Sequence, residues 1–438
     1  MRPLVLILSL LLYFNTVNAQ IITTVVGNGI AGYIGDNATA DSAELNDPIY
    51  ASFDNTGNML IADSKNNVIR RVSQTGIITT VAGKGSAGYT GDGGLAILAE
   101  LYYPTDVVTD DSGNLYIADA GNNVIRKINS AGKIETIAGT GLPGSSGDGG
   151  NAIFATLNTP YGIAIDKIGI IYITDGGNHK IRKIDTSGTI STIAGTGISG
   201  SLGDGGPAIN ARLGYPGEIV INSLNEIYFS DWNNHKVRKI DTHGIITTVA
   251  GTGISGNSGD GGLATSAELN APNGIKFDDS GNLYISDNYA NVVRKVNTSG
   301  IISTIAGTGS QGYTGDGGPA LSATFNRPNC TFFDDFGNIY IVDSYNNCIR
   351  KITFNTGVNN VEKQEANITI HPNPASTQID ISTSTKIENI VITNAIGQTV
   401  FIQNNINSEK LQIDISPFPA GFYFVKINGT YKSKFLKK

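Results

Sequence analysis

Asp106 and Glu218, with Tyr50 and the rings of Trp232, Tyr289 and Tyr345, are the residues of this sequence whose types and spacing could do chemistry. Tyr50, Asp106 and Glu218 occupy one equivalent place in an internal repeat, which elsewhere holds Gly162, Gly274 and Cys330. An acid–base pair would need its two carboxylates close together with one pKa raised. Asp106 and Glu218 are two repeats apart, which argues against such a pair, so no catalytic residue is assigned. Trp232, the only Trp, falls with Tyr289 and Tyr345 in one kind of turn. Exposed aromatics beside carboxylates could hold a sugar, a peptide or a cationic group. The competing reading is drift at unconstrained surface positions. Four His and two Cys leave little material for metal or thiol chemistry. His179 and His235 lie at equivalent places with no third ligand in view, so neither a metal nor a cofactor is expected.

The elements that must position these residues follow from a repeat. Gly27, Gly83, Gly139, Gly195, Gly251 and Gly307 recur at intervals of 56 residues. Pro48 to Pro328, Asp63 to Asp343 and Arg70 to Arg350 recur six times at the same interval, with no insertion or deletion. A fixed period of this size means a solenoid, propeller or array. Each copy reads as four short strands, in the fifth Asn273 to Phe277, Leu283 to Ser286, Val292 to Val296 and Ile301 to Ala306. Four-stranded repeats describe a β-propeller, here with six blades. The array opens with a lone outer-type strand, Ile21 to Val26, and ends on a third-type strand, Cys348 to Thr353. Pairing the two would complete blade six and remove two free edges.

The blade-to-blade connections are long and share a face with the second-to-third turns, so that face is the expected binding face. Five of these loops carry Gly-Asp-Gly-Gly around Asp92, Asp148, Asp204, Asp260 and Asp316, and the first reads Asp36-Asn37-Ala38. Turn formation accounts for that chemistry. A calcium ion wants six to eight oxygens, and one carboxylate per loop is thin for it. The repeated Asp and Arg read as turn caps and ion pairs that hold the blades together, since six copies cannot all be one active site. Cys330 and Cys348 fall on the first and third strands of blade six with one strand between, about 9–10 Å by strand spacing, so two free thiols are expected.

Composition bounds the rest. With 40% hydrophobic residues the chain can bury a core, and a net charge of −7 argues against nucleic acid as a partner. Residues 1–19 read as a signal peptide: Arg2, the apolar run Leu4 to Phe14, and Val17-Asn18-Ala19 before Gln20. No other segment is apolar for long enough to span a bilayer, so the mature chain is expected to lack a transmembrane segment. The propeller is expected over residues 20–357, a polar linker over 358–366, and a further all-β domain over 367–438. About seven short strands in that last part suggest a small β-sandwich.

Two stretches resemble known families. Asn178-His179-Lys180-Ile181-Arg182-Lys183 and Asn234-His235-Lys236-Val237-Arg238-Lys239, with Gly113-Asn114-Leu115-Tyr116-Ile117-Ala118-Asp119, resemble the signature of NHL-repeat propellers. That resemblance implies the fold. It leaves function open, because the family includes protein-binding and RNA-binding propellers and, more distantly, lyases and lactonases. His371-Pro372-Asn373-Pro374-Ala375, Asn394-Ala395-Ile396-Gly397-Gln398 and Ala420-Gly421-Phe422-Tyr423-Phe424 resemble the type A sorting domain of the bacterial type IX secretion system. The resemblance makes Pro372, Asn373, Pro374, Gly397, Gly421 and Tyr423 the sorting motif. It implies the secretion machinery and a surface sortase as partners, and passage through the periplasm to the surface of a Gram-negative bacterium or beyond. The expectation is thus an all-β chain, a six-bladed NHL propeller with a small C-terminal sandwich, acting as a binding module for a protein, peptide or glycan. A lyase or hydrolase at the channel mouth and a structural or adhesive surface protein remain as alternatives.

Overall fold

The computed structural model describes residues 20–354, 368–394, 398–428 and 430–438. The expected signal peptide, the expected linker and Gly397, expected in the sorting motif, lie outside the described residues. The chain divides into two compact units, Met1–Thr356 and Gly357–Lys438. Among the described residues no helix is long and apolar enough to cross a membrane.

The first unit is a propeller of six four-stranded antiparallel sheets. In blade 2, for example, the strands run Pro104–Thr109, Leu115–Asp119, Val124–Ile128 and Ile134–Ala138 from the channel outward. Turn chemistry sets the strand ends. Between the first two strands, Asp110 accepts hydrogen bonds from the N–H groups of Ser112 and Asn114, which leaves Gly113 in the left-handed region at φ 81°. Between the second and third, a single 3-10 turn ends on Asn123 at φ 56°. Alternate residues of each strand face the neighbouring blades. Ile117, Ile125 and Ile134 of blade 2 are fully buried, as are Ile173, Ile181 and Ile190 of blade 3. The innermost strands touch their neighbours all the way round, blade 6 against blade 1 included. Blade 6 takes its outer strand from the start of the chain: Gln20–Val26 pairs with Cys348–Phe354, Ile22 opposite Ile352.

The second unit is a single bent sheet with Thr369–His371, Gln378–Asn394, Thr399–Asp414, Gly421–Ile427 and Thr430–Lys437. The seven short strands expected are five, because Ile379 to Ser382 and Ile387 to Thr393 are one strand, and so are Gln398 to Ile402 and Gln412 to Ile415. A register shift between Ser382 and Ile387 breaks the regular pairing of the first of them. Ile379, Ile381, Ile390, Ile392, Tyr423 and Phe435 form the core. The first loop is tied to the last strand, since Ala375 donates to the carbonyl of Leu436 and accepts from Lys438, both at 2.8 Å.

Candidate functional site

The sixfold residues build the frame. Each repeat Arg is fully buried, and its Nη2 lies 2.6–2.8 Å from the Asp of the preceding long loop. Its Nη1 lies 3.3–4.0 Å from the Asp that ends the second strand. Asp36 of the divergent first loop keeps this contact with Arg70. In blade 1, burial pushes the Asp63 carboxyl up to about 7, against the pull of the Asn66 amide, the Asn46 N–H and Arg70. The loop aspartates are therefore ion-pair partners of arginine. The repeat histidines are explained in the same way. His179 Nδ1 accepts the N–H of Tyr215 at 3.2 Å, and His235 Nδ1 accepts that of Ala271 at 3.0 Å. In the other four blades Asn67, Asn123, Asn291 and Asn347 accept the equivalent N–H through Oδ1 at 2.9–3.0 Å. Each of these acceptors binds the residue just before the next blade's Pro, so it fixes one blade to the next. Both cysteines are free and buried.

On this frame the long-loop face carries a continuous arc of rings and cations. Trp232 meets Tyr215 and Tyr289 edge to face, with centroids 5.7 and 6.0 Å apart. The Arg327 guanidinium stands 4.5 Å from the ring centroids of both Tyr289 and Tyr345, and its Nη1 donates to the Tyr345 hydroxyl at 2.9 Å. Lys65 lies 5.5 Å from the centroid of the same Tyr345 ring and 3.3 Å from Asp47. Tyr289 and Tyr345 are 42% and 43% exposed, whereas Trp232 is half-buried. Among the described residues no carboxylate lies within 4.0 Å of Arg327, so its charge is offset only by the rings and a phenol. The arc is thus a preorganised surface with one uncompensated guanidinium, suited to flat or anionic groups.

Tyr50, Asp106 and Glu218 are not part of that surface. All three are buried, at 4%, 1% and 3% exposure, so the picture of rings standing beside two accessible carboxylates is corrected. One step nearer the long-loop face along the innermost strands, a polar layer crosses the channel. Asn273 Nδ2 lies 2.7 Å from the Tyr161 hydroxyl and 2.8 Å from Asn329 Oδ1. Asn329 in turn donates to Ser344 Oγ at 2.7 Å. The Tyr161–Asn273 bond passes blade 4, where a Cβ on Gly217 would stand 2.9 Å from Asn273 Oδ1.

Beneath this layer the channel holds an acid pair. The Asp106 carboxylate accepts the N–H of Ile163 at 2.7 Å, and burial pushes its pKa up to about 7. Glu218 is raised well above the usual carboxylate range by burial and then by the charge of Asp106. Their distance in sequence therefore does not separate them. The channel is narrow, and glycines at 162 and 274 let neighbouring inner strands approach so closely that a Cβ would meet backbone at 2.8 and 2.3 Å. Lys276 pulls both acids back down, and Tyr50 and the Cys330 thiol are pushed up by burial and by the same carboxylates. At the tight-turn end lies a cavity of about 290 Å³ lined by Tyr50, Val108, Val220, Lys276 and neighbours.

Sequence reasoning missed Tyr161, Tyr215, Arg327, Lys65 and Lys276. The signal was present: these positions also differ from copy to copy, at the residue before the blade Pro, one after it and four after it, and, for Lys65, at the turn position that holds Tyr289 and Tyr345 in other copies. In the second unit, of the residues expected to form the sorting motif, Asn373 accepts the Leu436 N–H at 2.9 Å, and the Tyr423 hydroxyl donates to the Pro419 carbonyl at 2.7 Å.

Comparison with known proteins agrees with this architecture. Residues 369–438 match the secretion system C-terminal sorting domain, residues 101–128 the NHL repeat, and residues 137–202 and 253–314 the teneurin NHL domain. Teneurin-3 of Mus musculus is 30% identical over 380 residues, and teneurin-3 of Danio rerio 31% over 382. Each alignment covers 76% of this chain but 13% of the teneurin, so the chain spans a small part of those relatives. A Bacteroides thetaiotaomicron protein of unknown function has the same fold, with a TM-score of 0.57 at 22% identity over 76% of both chains. An auxiliary nutrient binding protein of Bacteroides ovatus has it at 0.57 and 18%, over 77% of both. Repeat, topology and family matches converge: the chain is an NHL-repeat six-bladed β-propeller followed by a C-terminal sorting domain of the type IX secretion system, which marks it for export.

Proposed function

We propose that the protein is an exported binding module whose ligand, a protein, peptide or glycan, docks on the long-loop face of the propeller. The observation that carries this reading is the arc from Tyr215 through Trp232, Tyr289 and Arg327 to Tyr345 and Lys65. Rings locked against one another lose little entropy on binding, and large aromatics with Arg are the residues that dominate interfaces. Residues 1–19 serve as the leader to the periplasm, 358–366 as the linker, and the sorting domain delivers the propeller to the cell surface or outside. A nutrient-binding protein among the fold neighbours is in keeping with such a role.

The test is a glycan and peptide array probed with the wild-type chain and with Trp232, Tyr289 and Tyr345 all changed to Ala. The variant is expected to keep its melting temperature and lose its array signal. Unchanged binding would remove this face from consideration. One observation favours a second reading, a lyase or hydrolase: Asp106 and Glu218 have environments that push their pKa values up, as acid–base work requires. Turnover of an array hit that survives the triple Ala change and is abolished by Glu218→Gln would select that reading.

A further inference from the structure

The arc on the long-loop face presents side chains rather than backbone. The N–H groups of its turns are already engaged: Lys65 donates to the carbonyl of Asn46, Trp232 to Tyr215, Tyr289 to Asn270 and Tyr345 to Asn326, at 3.0–3.3 Å. A peptide read through its main chain needs unpaired backbone groups, and these four turn residues have no N–H to give it. Arg327 is different. Its Nη1 donates to the Tyr345 hydroxyl, whereas Nε and Nη2 make no hydrogen bond within the protein and are not closed off from water. Two coplanar N–H groups on one open edge match the two oxygens of a carboxylate. The rings of Tyr289 and Tyr345, each 4.5 Å from the guanidinium, hold that fork in place before any ligand arrives. The only other cation in the arc, Lys65, is already paired with Asp47.

We propose that the ligand of this face is a glycan carrying an isolated uronic acid, an inference that rests on the long-loop face being the binding face. The uronate carboxylate sits on the Nε–Nη2 edge of Arg327. The sugar then lies over the exposed rings of Tyr289 and Tyr345, whose electron-rich faces meet its slightly positive C–H groups. Charge sets how acidic the glycan is. The chain as a whole carries −7, so a densely charged polymer is repelled by the rest of the molecule, within a screening length of about 8 Å at physiological salt. One carboxylate on an otherwise neutral body matches the one uncompensated guanidinium. A neutral glycan leaves that guanidinium without a partner.

The experiment is calorimetric titration of the purified full chain with neutral oligosaccharides that end in one glucuronate or one galacturonate. The methyl ester of each serves as its uncharged twin, and acetyl-trialanine supplies a carboxylate without a sugar. At least one acid is expected to bind saturably, and its ester and the peptide to bind at least about tenfold more weakly for lack of one charge-assisted contact or of the stacked sugar. Arg327→Met, checked for a native melting transition, is expected to erase the difference between acid and ester. Arg327→Lys, which keeps the charge and loses the fork, is expected to restore only part of it. Absence of binding by both acids, an ester or the peptide that binds as well as the acid, or a preference for the acid that survives Arg327→Met would overturn the proposal. Failure of the underlying reading looks different. Array hits that need Trp232, Tyr289 and Tyr345 but carry no uronate would overturn this inference and leave the binding face standing, whereas hits that survive the triple Ala change would overturn both.

Discussion

Asp106 shows how a single residue's environment decides its chemistry. In the unfolded chain it is an ordinary carboxylate; in the channel, burial raises its pKa to about 7. Glu218, Tyr50, Cys330 and Lys276 are the titratable groups that face it. A raised carboxylate pKa means the folded state holds its proton more tightly. Its contribution is present in full below the unfolded pKa near 4 and is lost as pH climbs through about 7. Asp106→Asn is therefore expected to raise the melting temperature at pH 8, on the order of 5 °C, and to change it little at pH 4. Equal effects at both pH values in a thermal scan would show that the carboxylate is not strained by burial. That Asp106 faces the channel was legible from the repeat, because Pro104 fixes its place on the innermost strand. Its depth was not legible. The repeat gives register along the strand, whereas depth depends on how closely Gly162, Gly217 and Gly274 let the inner strands approach, which is a property of the closed ring.

At the scale of the element, the blade is held by a buried arginine with an inner and an outer aspartate. Arg238 joins Asp231, which is fully buried, to Asp204, which is 35% exposed. Removing the cation strands a buried carboxylate: Arg238→Met is expected to cost about 3–5 kcal/mol in a denaturant titration. Asp204→Asn, at the wetter end, is expected to cost about 1 kcal/mol. Comparable losses would mean that the outer pair carries as much as the inner one. The link between blades makes a second contrast. Asn does the work of His in four blades, so His235→Asn is expected to be within about 0.5 kcal/mol of wild type. His235→Ala leaves the Ala271 N–H without its acceptor and is expected to cost about 1–2 kcal/mol. These elements were legible because sixfold recurrence of Asp, Arg and the Asn or His marks structural need. Arg327 was harder to find. It occupies a position that varies among Asp47, Tyr103, Thr159, Tyr215 and Ala271, and only the folded face brings it between Tyr289 and Tyr345.

At the scale of the whole molecule, the propeller is a ring whose last sheet is completed by the first described strand. Deleting residues 20–26 would expose the edge of Cys348–Phe354 and is expected to lower the melting temperature and bring on concentration-dependent aggregation. A deletion variant that stays monomeric with an unchanged transition would show that the ring needs no such clasp. Closure also holds the arc together, since its residues come from blades 1, 4, 5 and 6 and the loops between them. The arc contains the only Trp of the chain, so tryptophan emission, excited selectively over tyrosine, reads this face alone. The most direct test is to titrate an array-selected ligand into the full chain while following Trp232 emission. A saturable change with the same midpoint as calorimetry, absent when Tyr289 and Tyr345 are both changed to Ala, is the expected result. A ligand that saturates by calorimetry and leaves Trp232 emission flat would contradict the placement of binding on the long-loop face.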